Sequence, residues 1–153
     1  MEDKDEDFIH LALEQAKKAF DRDEVPIGCV IVRHGVVLAK GFNNKMHKHN
    51  ALEHAELIAL KRAQKKLHDW HLNDCTLYVT LEPCPMCAGA CINTRVGKIV
   101  FGAKDPKAGC CGSLYNLPID QRFNHRPDVV GGILEQECGD ILSKFFKNKR
   151  KEK

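Results

Sequence analysis

The sequence lacks the features that would direct it into a membrane or out of the cell. None of its apolar runs approaches the ~18 consecutive residues that a membrane-spanning helix requires. Its first seven residues are mostly acidic, whereas a secretory signal peptide starts with basic residues. The chain also lacks internal repeats and low-complexity linkers. These absences predict a single domain over residues 1–153 that has no membrane partner and stays in the cytoplasm.

The net charge of +3 is small, but the charges are unevenly distributed along the chain. Residues 2–7 carry five acids and one lysine, and residues 144–153 carry six basic residues and one acid. We therefore expect an acidic N-terminal extension over residues 1–7 and a basic C-terminal tail over residues 147–153.

Eight cysteines are present, although nothing in the sequence indicates export to an oxidising compartment. In a reducing compartment they are free thiols or metal ligands. Cys29, Cys75 and Cys138 are expected to be small buried residues. Cys84 and Cys87 differ from these, because they form a Cys-x-x-Cys motif with a proline on each side of its first cysteine.

Stretches with helical and with strand-like spacing of apolar residues follow one another along the chain. Helices are predicted over residues 8–20, over 54–67, from 85 until Gly97 stops the helix, and from 134 into the basic tail. Strands are predicted over 27–32, from 36 until the strand runs out at 41–44, and over 76–80, 98–102 and 129–134, with a loop that follows the second strand and runs to residue 50. The last strand should be parallel to its predecessor, because the connection over residues 105–128 is long enough for a crossover. This order predicts an α/β domain of three layers (αβα) with a mixed sheet of about five strands.

The stretches His54-Ala55-Glu56 and Pro83-Cys84-Pro85-Met86-Cys87 contain the parts of one zinc site. Cys84 and Cys87 share one helix face, and a helix N terminus favours the thiolates that zinc needs. His54 supplies a third ligand, provided that the two helices begin at the same edge of the sheet. Three protein ligands leave a fourth position for water, which is the catalytic arrangement. Glu56 is placed to exchange a proton with that water.

A closed structural site is the alternative to this catalytic arrangement. It would need a fourth protein ligand from Cys91, Cys110 or Cys111. Cys91 is the main candidate, since it lies one turn beyond Cys87 on the same face. The helix carries Cys91 away from the ion as it advances, which favours the open site.

The two stretches resemble the signature of the zinc-dependent cytidine/nucleobase deaminase superfamily. Further runs resemble bacterial tRNA-specific adenosine deaminases, in the same order along the chain: residues 24–28, 41–43, 77–84, 86–90, 100–105, 112–114, 124–126 and 145–146. The resemblance implies a cytidine-deaminase-like fold and a homodimer with one zinc ion per subunit. The implied reaction is hydrolytic deamination of adenosine to inosine at the wobble position of a tRNA anticodon. Residues 44–53 look particular to this chain.

The resemblance also implies roles for individual residues. His54, Cys84 and Cys87 are expected to bind zinc, and Glu56 to shuttle the proton when the activated water attacks C6 of adenine. Substrate contacts are expected from Asn43, Pro26, Lys104, Asp105, Lys107, Phe145, Phe146 and Arg150. Asn43 should hydrogen-bond the purine or its ribose, and Pro26 should form part of the pocket wall.

Less specific interpretations stay open for several of these residues. Asn43 is also typical of a turn at a strand end. The tail from Phe145 combines aromatic and basic residues, as proteins that bind single-stranded RNA do, but solvated charged tails have the same composition. Phe145 lies on the apolar face of the last helix, so Phe146 is freer to meet a base.

Two other functions are compatible with the residues. A deaminase of the same fold that acts on free guanine or cytosine would not need a basic tail. A zinc-stabilised binding module without catalysis would keep its fold, its zinc and its function after Glu56→Ala. An enzyme of the implied class would keep its zinc and lose deamination.

Overall fold

Five strands form one mixed sheet in the computed structural model, which describes residues 2–152. The strands are β1 (Gly28–Arg33), β2 (Val36–Phe42), β3 (Cys75–Leu81), β4 (Lys98–Ala103) and β5 (Asp128–Val130). Their order is β2-β1-β3-β4-β5. β1 is antiparallel to both of its neighbours, whereas β3, β4 and β5 are mutually parallel. The predicted mixed sheet and its parallel last strand are therefore confirmed.

Helices cover both faces of this sheet. They are α1 (Glu2–Asp21), α2 (Lys45–Lys48), α3 (Ala55–Leu67), α4 (Pro85–Asn93) and α5 (Glu135–Glu152), with a short 3-10 turn at Leu117–Ile119. α3 and α4 pack on one face, and α1 and α5 pack on the other. The three layers are those that the sequence predicts. Within residues 2–152, no helix combines the length and the apolar character needed to span a membrane.

The central strands β1, β3 and β4 are buried on both faces, and their successive side chains point in opposite directions. In β1, Cys29 and Ile31 belong to the core beneath α3 and α4, and Val30 belongs to the core beneath α1 and α5. Cys75 and Cys138 are at most 1% exposed, as is Cys29. The expectation that these three cysteines are buried core residues is confirmed.

The first and last described segments are helical. The predicted acidic extension forms the start of α1, and Asp5 connects it to the sheet: it accepts a hydrogen bond from the Tyr78 hydroxyl at 2.8 Å and lies 3.6 Å from Lys98 Nζ. The ring of Phe8 also packs on Tyr78, with centroids 5.1 Å apart. The basic tail continues α5. Met1 of the predicted extension and Lys153 of the predicted tail lie outside the described residues.

α1 begins at Glu2 and not at residue 8, and three further predictions were wrong. Residues 45–48 of the predicted loop form α2. α4 ends at Asn93 and not at Gly97, because the backbone turns at Arg95, which has a φ of 61°. β5 is three residues long and does not extend to residue 134, because positive φ values at Gly132 and Leu134 interrupt an extended strand.

The carboxyl ends of four strands meet at one edge of the sheet. Because β1 is antiparallel to β2 and to β3, those two strands run in the same direction as each other and as β4 and β5. The residues that follow these strands therefore lie along one edge, with Asn43 after β2, Glu82 after β3 and Lys104 after β4. In open α/β sheets, this edge is where ligands bind.

Candidate active site

His54 lies at the N terminus of α3, at the carboxyl edge of the sheet. The Ala55 N–H donates a hydrogen bond to Oδ1 of Asn43 at 2.8 Å. A Cβ atom at Gly41 would lie 2.6 Å from the carbonyl oxygen of Ala55, so only glycine allows α3 to approach β2 this closely. The end of β2 thus positions the first residue of α3 and, with it, His54.

Cys84 and Cys87 lie at the N terminus of α4. β3 ends at Leu81, and α4 begins at Pro85, which leaves Cys84 as the N-cap residue with an extended backbone. A proline at the first helical position costs nothing, because that N–H has no partner within the helix. Cys87 is fully buried in the first turn, whereas Cys84 is partly exposed. A strand buried on both faces therefore delivers both thiols to the edge.

The three predicted ligand atoms converge at this point. Nδ1 of His54 lies 3.7 Å from Sγ of Cys84 and 3.5 Å from Sγ of Cys87. All three ligand atoms lie within 4.8 Å of one another, which allows them to bind one metal ion. The sequence alone did not indicate which ring nitrogen of His54 faces the sulfurs.

The spacing of these atoms fits a tetrahedral zinc ion. Zn–S bonds of about 2.3 Å and Zn–N bonds of about 2.0 Å separate the sulfur and nitrogen ligands by about 3.5 Å. Cys91, Cys110 and Cys111 are buried thiols that do not belong to the ligand group found among residues 2–152. The arrangement thus favours three protein ligands over a closed site with four.

The pKa values of the two thiols shift in opposite directions. A hydrogen bond from the Cys87 thiol, together with His54, lowers the pKa of Cys84 to about 4. The same hydrogen bond, together with burial, raises the pKa of Cys87. Hydrogen bonding to Cys84 also raises the pKa of His54. The thiolate form of Cys84 is therefore favoured, whereas the Cys87 thiol and Nδ1 of His54 must be free of protons before they can bind a metal ion.

Glu56 lies in the first turn of α3 and is 4% exposed. Burial raises the pKa of Glu56 to about 7, and its own backbone N–H and nearby His54 only partly offset this effect. A carboxyl group with a pKa near the working pH can both accept and donate a proton. The position beside His54 and Cys87 is where such a group can serve as a general acid and base.

Asn43 and Pro26 lie beside the start of α3. The Asn43 N–H donates to the carbonyl oxygen of Ile27 at 3.1 Å, and the neighbouring Pro26 is buried. The side chain of Asn43 is 7% exposed, and its oxygen is the acceptor for Ala55. Asn43 therefore has a structural role, but this bond leaves its amide nitrogen able to donate to a ligand.

Lys104, Asp105 and Lys107 begin the long connection after β4. Oδ1 of Asp105 accepts hydrogen bonds from the N–H groups of Lys107 at 3.0 Å and Ala108 at 3.2 Å, which closes a turn. Both lysines are exposed. Residues 104–113 are called the rim loop below, because the Cys110 N–H donates to the carbonyl oxygen of Pro83 at 2.9 Å, next to Cys84.

Sequence reasoning assigned no role to two buried carboxylates near this edge. Glu24 is 1% exposed and accepts hydrogen bonds from the N–H groups of Met46 at 2.9 Å and His47 at 2.8 Å, and from Nδ1 of His47 at 2.6 Å. These bonds hold α2 in place. Glu82 is 2% exposed and holds the rim loop. The sequence does show an acidic residue directly after the buried strand β3, and this position could have identified Glu82.

The predicted RNA contacts in α5 lie on a helix that packs on the opposite face of the sheet from α3 and α4. Phe145 is 6% exposed, and its ring packs on Phe20 with centroids 5.9 Å apart. Phe146 is 45% exposed, Arg150 is exposed, and Lys149 pairs with Asp23. Phe145 thus has a packing role, while Phe146 and Arg150 face solvent.

The fold and the convergent His, Cys and Cys ligands beside a buried glutamate define the class as a hydrolytic deaminase of the cytidine-deaminase-like type. The family model of the MafB19-like deaminases matches residues 3–150. A tRNA-specific adenosine deaminase of Bacillus subtilis (strain 168) is 50% identical over 149 residues, which cover 97% of this chain and 92% of that protein.

Two solved structures agree with this class. One comes from a study of A-to-I editing by tRNA:A34 deaminases at the wobble position of transfer RNA, with a TM-score of 0.85 and 40% identity over 88% of this chain and 98% of that chain. A guanine deaminase from Bacillus subtilis has a TM-score of 0.64 and 34% identity over 74% of this chain and 73% of that chain. The chain belongs to the MafB19-like deaminase family and, within it, to the tRNA-specific adenosine deaminases.

Proposed function

We propose that the protein hydrolyses adenosine to inosine at the wobble position of a tRNA anticodon, in the cytoplasm, with one Zn²⁺ per subunit. Support comes from the relatives described above and from the ligand cluster at the carboxyl edge of the sheet. The observation that carries the proposal is the convergence of His54 Nδ1 with the two sulfurs beside the buried Glu56.

His54, Cys84 and Cys87 would hold the zinc ion. When bound, Zn²⁺ supplies the Lewis acidity that makes water a nucleophile at neutral pH. The three residues would contribute an imidazole and two thiolates, and three protein ligands are the number found at catalytic zinc sites. His54 lies at the start of α3, and the two cysteines lie at the start of α4. The sheet must therefore be folded, with both helices beginning at the same edge, before the three side chains can meet.

Glu56 would move the proton in the reaction. Hydrolysis of adenosine consumes one water molecule, places oxygen at C6 and releases the C6 amino group as ammonia. The Glu56 carboxylate accepts a proton from the attacking water and passes it to the departing amino group, so the residue ends each cycle as it began. Burial supports this role, since it brings the pKa of Glu56 to about 7.

Other residues of the edge would orient the purine and the RNA. The amide nitrogen of Asn43 can donate to the nucleoside, and Pro26 would form the adjoining wall. Lys104 and Lys107 on the rim loop, near Asp105, offer positive charge to RNA phosphates. Lys104 also lines a cavity of about 660 Å³ with Asn116, Gln121 and Arg126. Phe146 and Arg150 are both exposed, so Phe146 would stack on a base and Arg150 would bind phosphate.

A homodimer is supported by apolar side chains that follow the rim loop. Leu114, Tyr115, Ile119 and Phe123 are 51%, 69%, 60% and 41% exposed in the described chain. A second copy that covers them would bury a contiguous apolar segment. Light scattering of the purified protein should give twice the mass of one chain, and Tyr115→Asp should shift the mass towards one chain. A monomeric wild-type protein would contradict this part of the proposal.

The function is tested by inosine formation in a set of tRNA transcripts and in isolated anticodon stem-loops, measured by mass spectrometry of nucleosides. Glu56→Ala should keep one zinc per chain and lose activity by about 100-fold or more, because general acid and base catalysis contributes about that much. Glu14→Ala, which removes an exposed carboxylate from α1, is the matched control and should behave as the wild type. A fully active Glu56→Ala protein would overturn the mechanism.

Free bases test the main rival function. The likeness to a guanine deaminase makes guanine the first compound to assay, followed by cytosine. We expect ammonia release from the stem-loop and none from the free bases. Turnover of a free base without turnover of RNA would replace the proposed function with a free nucleobase deaminase.

A further inference from the structure

Glu82 lies between the end of β3 and the Pro83-Cys84 segment, and all of its acceptor capacity is used by one loop. Oε1 accepts the Asp105 N–H at 3.0 Å and the Ser113 hydroxyl. Oε2 accepts the N–H groups of Cys111 and Ser113, each at 3.0 Å. A single carboxylate therefore binds both ends of the rim loop.

The rim loop wraps closely around this carboxylate. Gly109 is buried, and a Cβ atom there would collide with the carboxyl carbon and both oxygens of Glu82. The side chain of Glu82 is 2% exposed. Four donors compensate the cost of burying it, since hydrogen bonds to an ionised acceptor are stronger than those between neutral groups.

Two consecutive sets of hydrogen bonds connect Glu82 to the lysines of the loop. Glu82 fixes the backbone of Asp105, and the side chain of Asp105 fixes the N–H groups of Lys107 and Ala108. The backbone of Glu82 is itself anchored, because its N–H donates to the carbonyl oxygen of Ala103 at 2.8 Å. The positions of Lys104 and Lys107 thus depend on a carboxylate two residues before Cys84.

We propose that Glu82 is a positioning residue for the RNA substrate: it holds the rim loop so that Lys104, Asp105 and Lys107 meet the anticodon loop in register with the deamination site. This inference rests on the proposed function, because it assigns the loop to RNA binding. Glu82 does not supply an atom to the ligand cluster. Its loss should therefore weaken substrate binding and leave the zinc content unchanged.

The test compares three full-length, zinc-loaded variants with the wild type. Glu82→Gln keeps the shape of the side chain but turns one acceptor oxygen into a donor, which opposes at least one N–H group of the loop in either orientation. Ser113→Ala removes only the hydroxyl donor and keeps the carboxylate. Asp74→Asn makes the same chemical change as Glu82→Gln at the other end of β3, where Asp74 pairs with Arg33 on the surface.

Kinetics on an anticodon stem-loop separate positioning from a general structural role. For Glu82→Gln we expect one zinc per chain, a KM raised about tenfold or more and a kcat within about threefold of the wild type, since a small misplacement of binding groups costs up to about 100-fold. Ser113→Ala should raise KM less, and Asp74→Asn should match the wild type. An unchanged KM for Glu82→Gln, or a fall in kcat and zinc content at constant KM, would overturn the proposal.

Hydrogen exchange provides a readout that does not depend on RNA activity. The amides of Asp105, Cys111 and Ser113 should exchange at least about tenfold faster in Glu82→Gln, whereas amides of β3 should not change. If the wild type forms no inosine, the proposed function fails, and these amides alone decide whether Glu82 holds the loop. Unchanged exchange at all three amides would refute that role. If Glu82→Gln does not fold, Ser113→Ala must show a smaller rise in KM and a smaller increase in the exchange rates of these amides.

Discussion

The close contact between Gly41 and α3 predicts that one methyl group will disturb the metal site. In Gly41→Ala the new Cβ would lie 2.6 Å from the carbonyl oxygen of Ala55, 3.0 Å from the Ala59 nitrogen and 3.2 Å from Cβ of Ile58. The first distance is about 0.8 Å short of ordinary van der Waals contact, which begins near 3.4 Å. Two of the three neighbouring atoms belong to the backbone, so no side chain can rotate away. α3 must shift, and His54 at its start must shift with it.

The size of this effect follows from the cost of overpacking. Forcing extra volume into a packed core costs about 1–3 kcal/mol, of which about 0.4–1 kcal/mol is offset because alanine restricts the unfolded chain more than glycine does. A net loss of about 1–2 kcal/mol lowers the Tm by about 2–8 °C in a chain of this length. Displacement of His54 should also lower the affinity for zinc by about tenfold.

Calorimetry and zinc competition with a chelator measure these two effects. Gly139→Ala is the matched control, because Gly139 lies within α5 and a Cβ there has no neighbour within 4 Å. That change should raise stability by about 0.5–1 kcal/mol, since alanine is the better helix former. If Gly41→Ala melts at or above the wild-type temperature and binds zinc equally well, β2 does not position the start of α3 as described.

Three further outcomes are expected. Asn43→Asp should keep the acceptor for the Ala55 N–H, and hence the fold, but lose the donor to the nucleoside and with it the activity on RNA. Asn43→Ala should also lose about 1–3 kcal/mol of stability, because it leaves that N–H without an acceptor. Equal melting temperatures of the two variants would contradict this prediction. In zinc-free protein, iodoacetamide should alkylate Cys84 before Cys87, because the pKa of Cys84 is about 4 and that of Cys87 is raised. Bound zinc should protect both cysteines, and peptide mass spectrometry measures the order of alkylation. Burial alone would raise the pKa of Glu24, but hydrogen bonds from Met46 and His47 bring it below its ordinary value of 4.5. The ionised carboxylate should therefore stabilise the fold fully at neutral pH, and this stabilisation should be lost as the pH falls below about 4.5. Acid unfolding of Glu24→Gln should lack this loss of stability, and an acid unfolding curve equal to that of the wild type would refute the prediction.

The elements that the sequence predicted well are those whose periodicity is local. The apolar stripe of α3 and the doubly buried β3 are visible in short windows, because burial on one helix face or on two strand faces leaves a repeating pattern. The convergence of His54, Cys84 and Cys87 was also predictable, since a Cys-x-x-Cys motif at a strand exit and a histidine at a helix start need only a shared edge to converge. The structure brings these groups together as that reasoning requires.

The elements that the sequence did not predict depend on distant partners. α2 has four residues, and its position is set by Glu24, more than twenty residues earlier in the chain. The helical start of α1 relies on Tyr78, whose hydroxyl reaches Asp5. Neither contact leaves a periodic pattern in its own segment, so local propensity alone predicted a loop in one case and an extension in the other.

The two buried carboxylates have a consequence for changing the substrate range of this enzyme. Each of the two surface segments beside the active site is secured by one acidic side chain that originates outside the segment, Glu24 for α2 and Glu82 for the rim loop. We therefore expect that the exposed residues of each segment can be replaced together without changes to the sheet. An exchange of the rim loop needs to keep Gly109, Ser113 and the acceptor turn at Asp105. Under that condition, we expect that new RNA-contacting surfaces can be introduced while His54, Cys84, Cys87 and Glu56 stay in place.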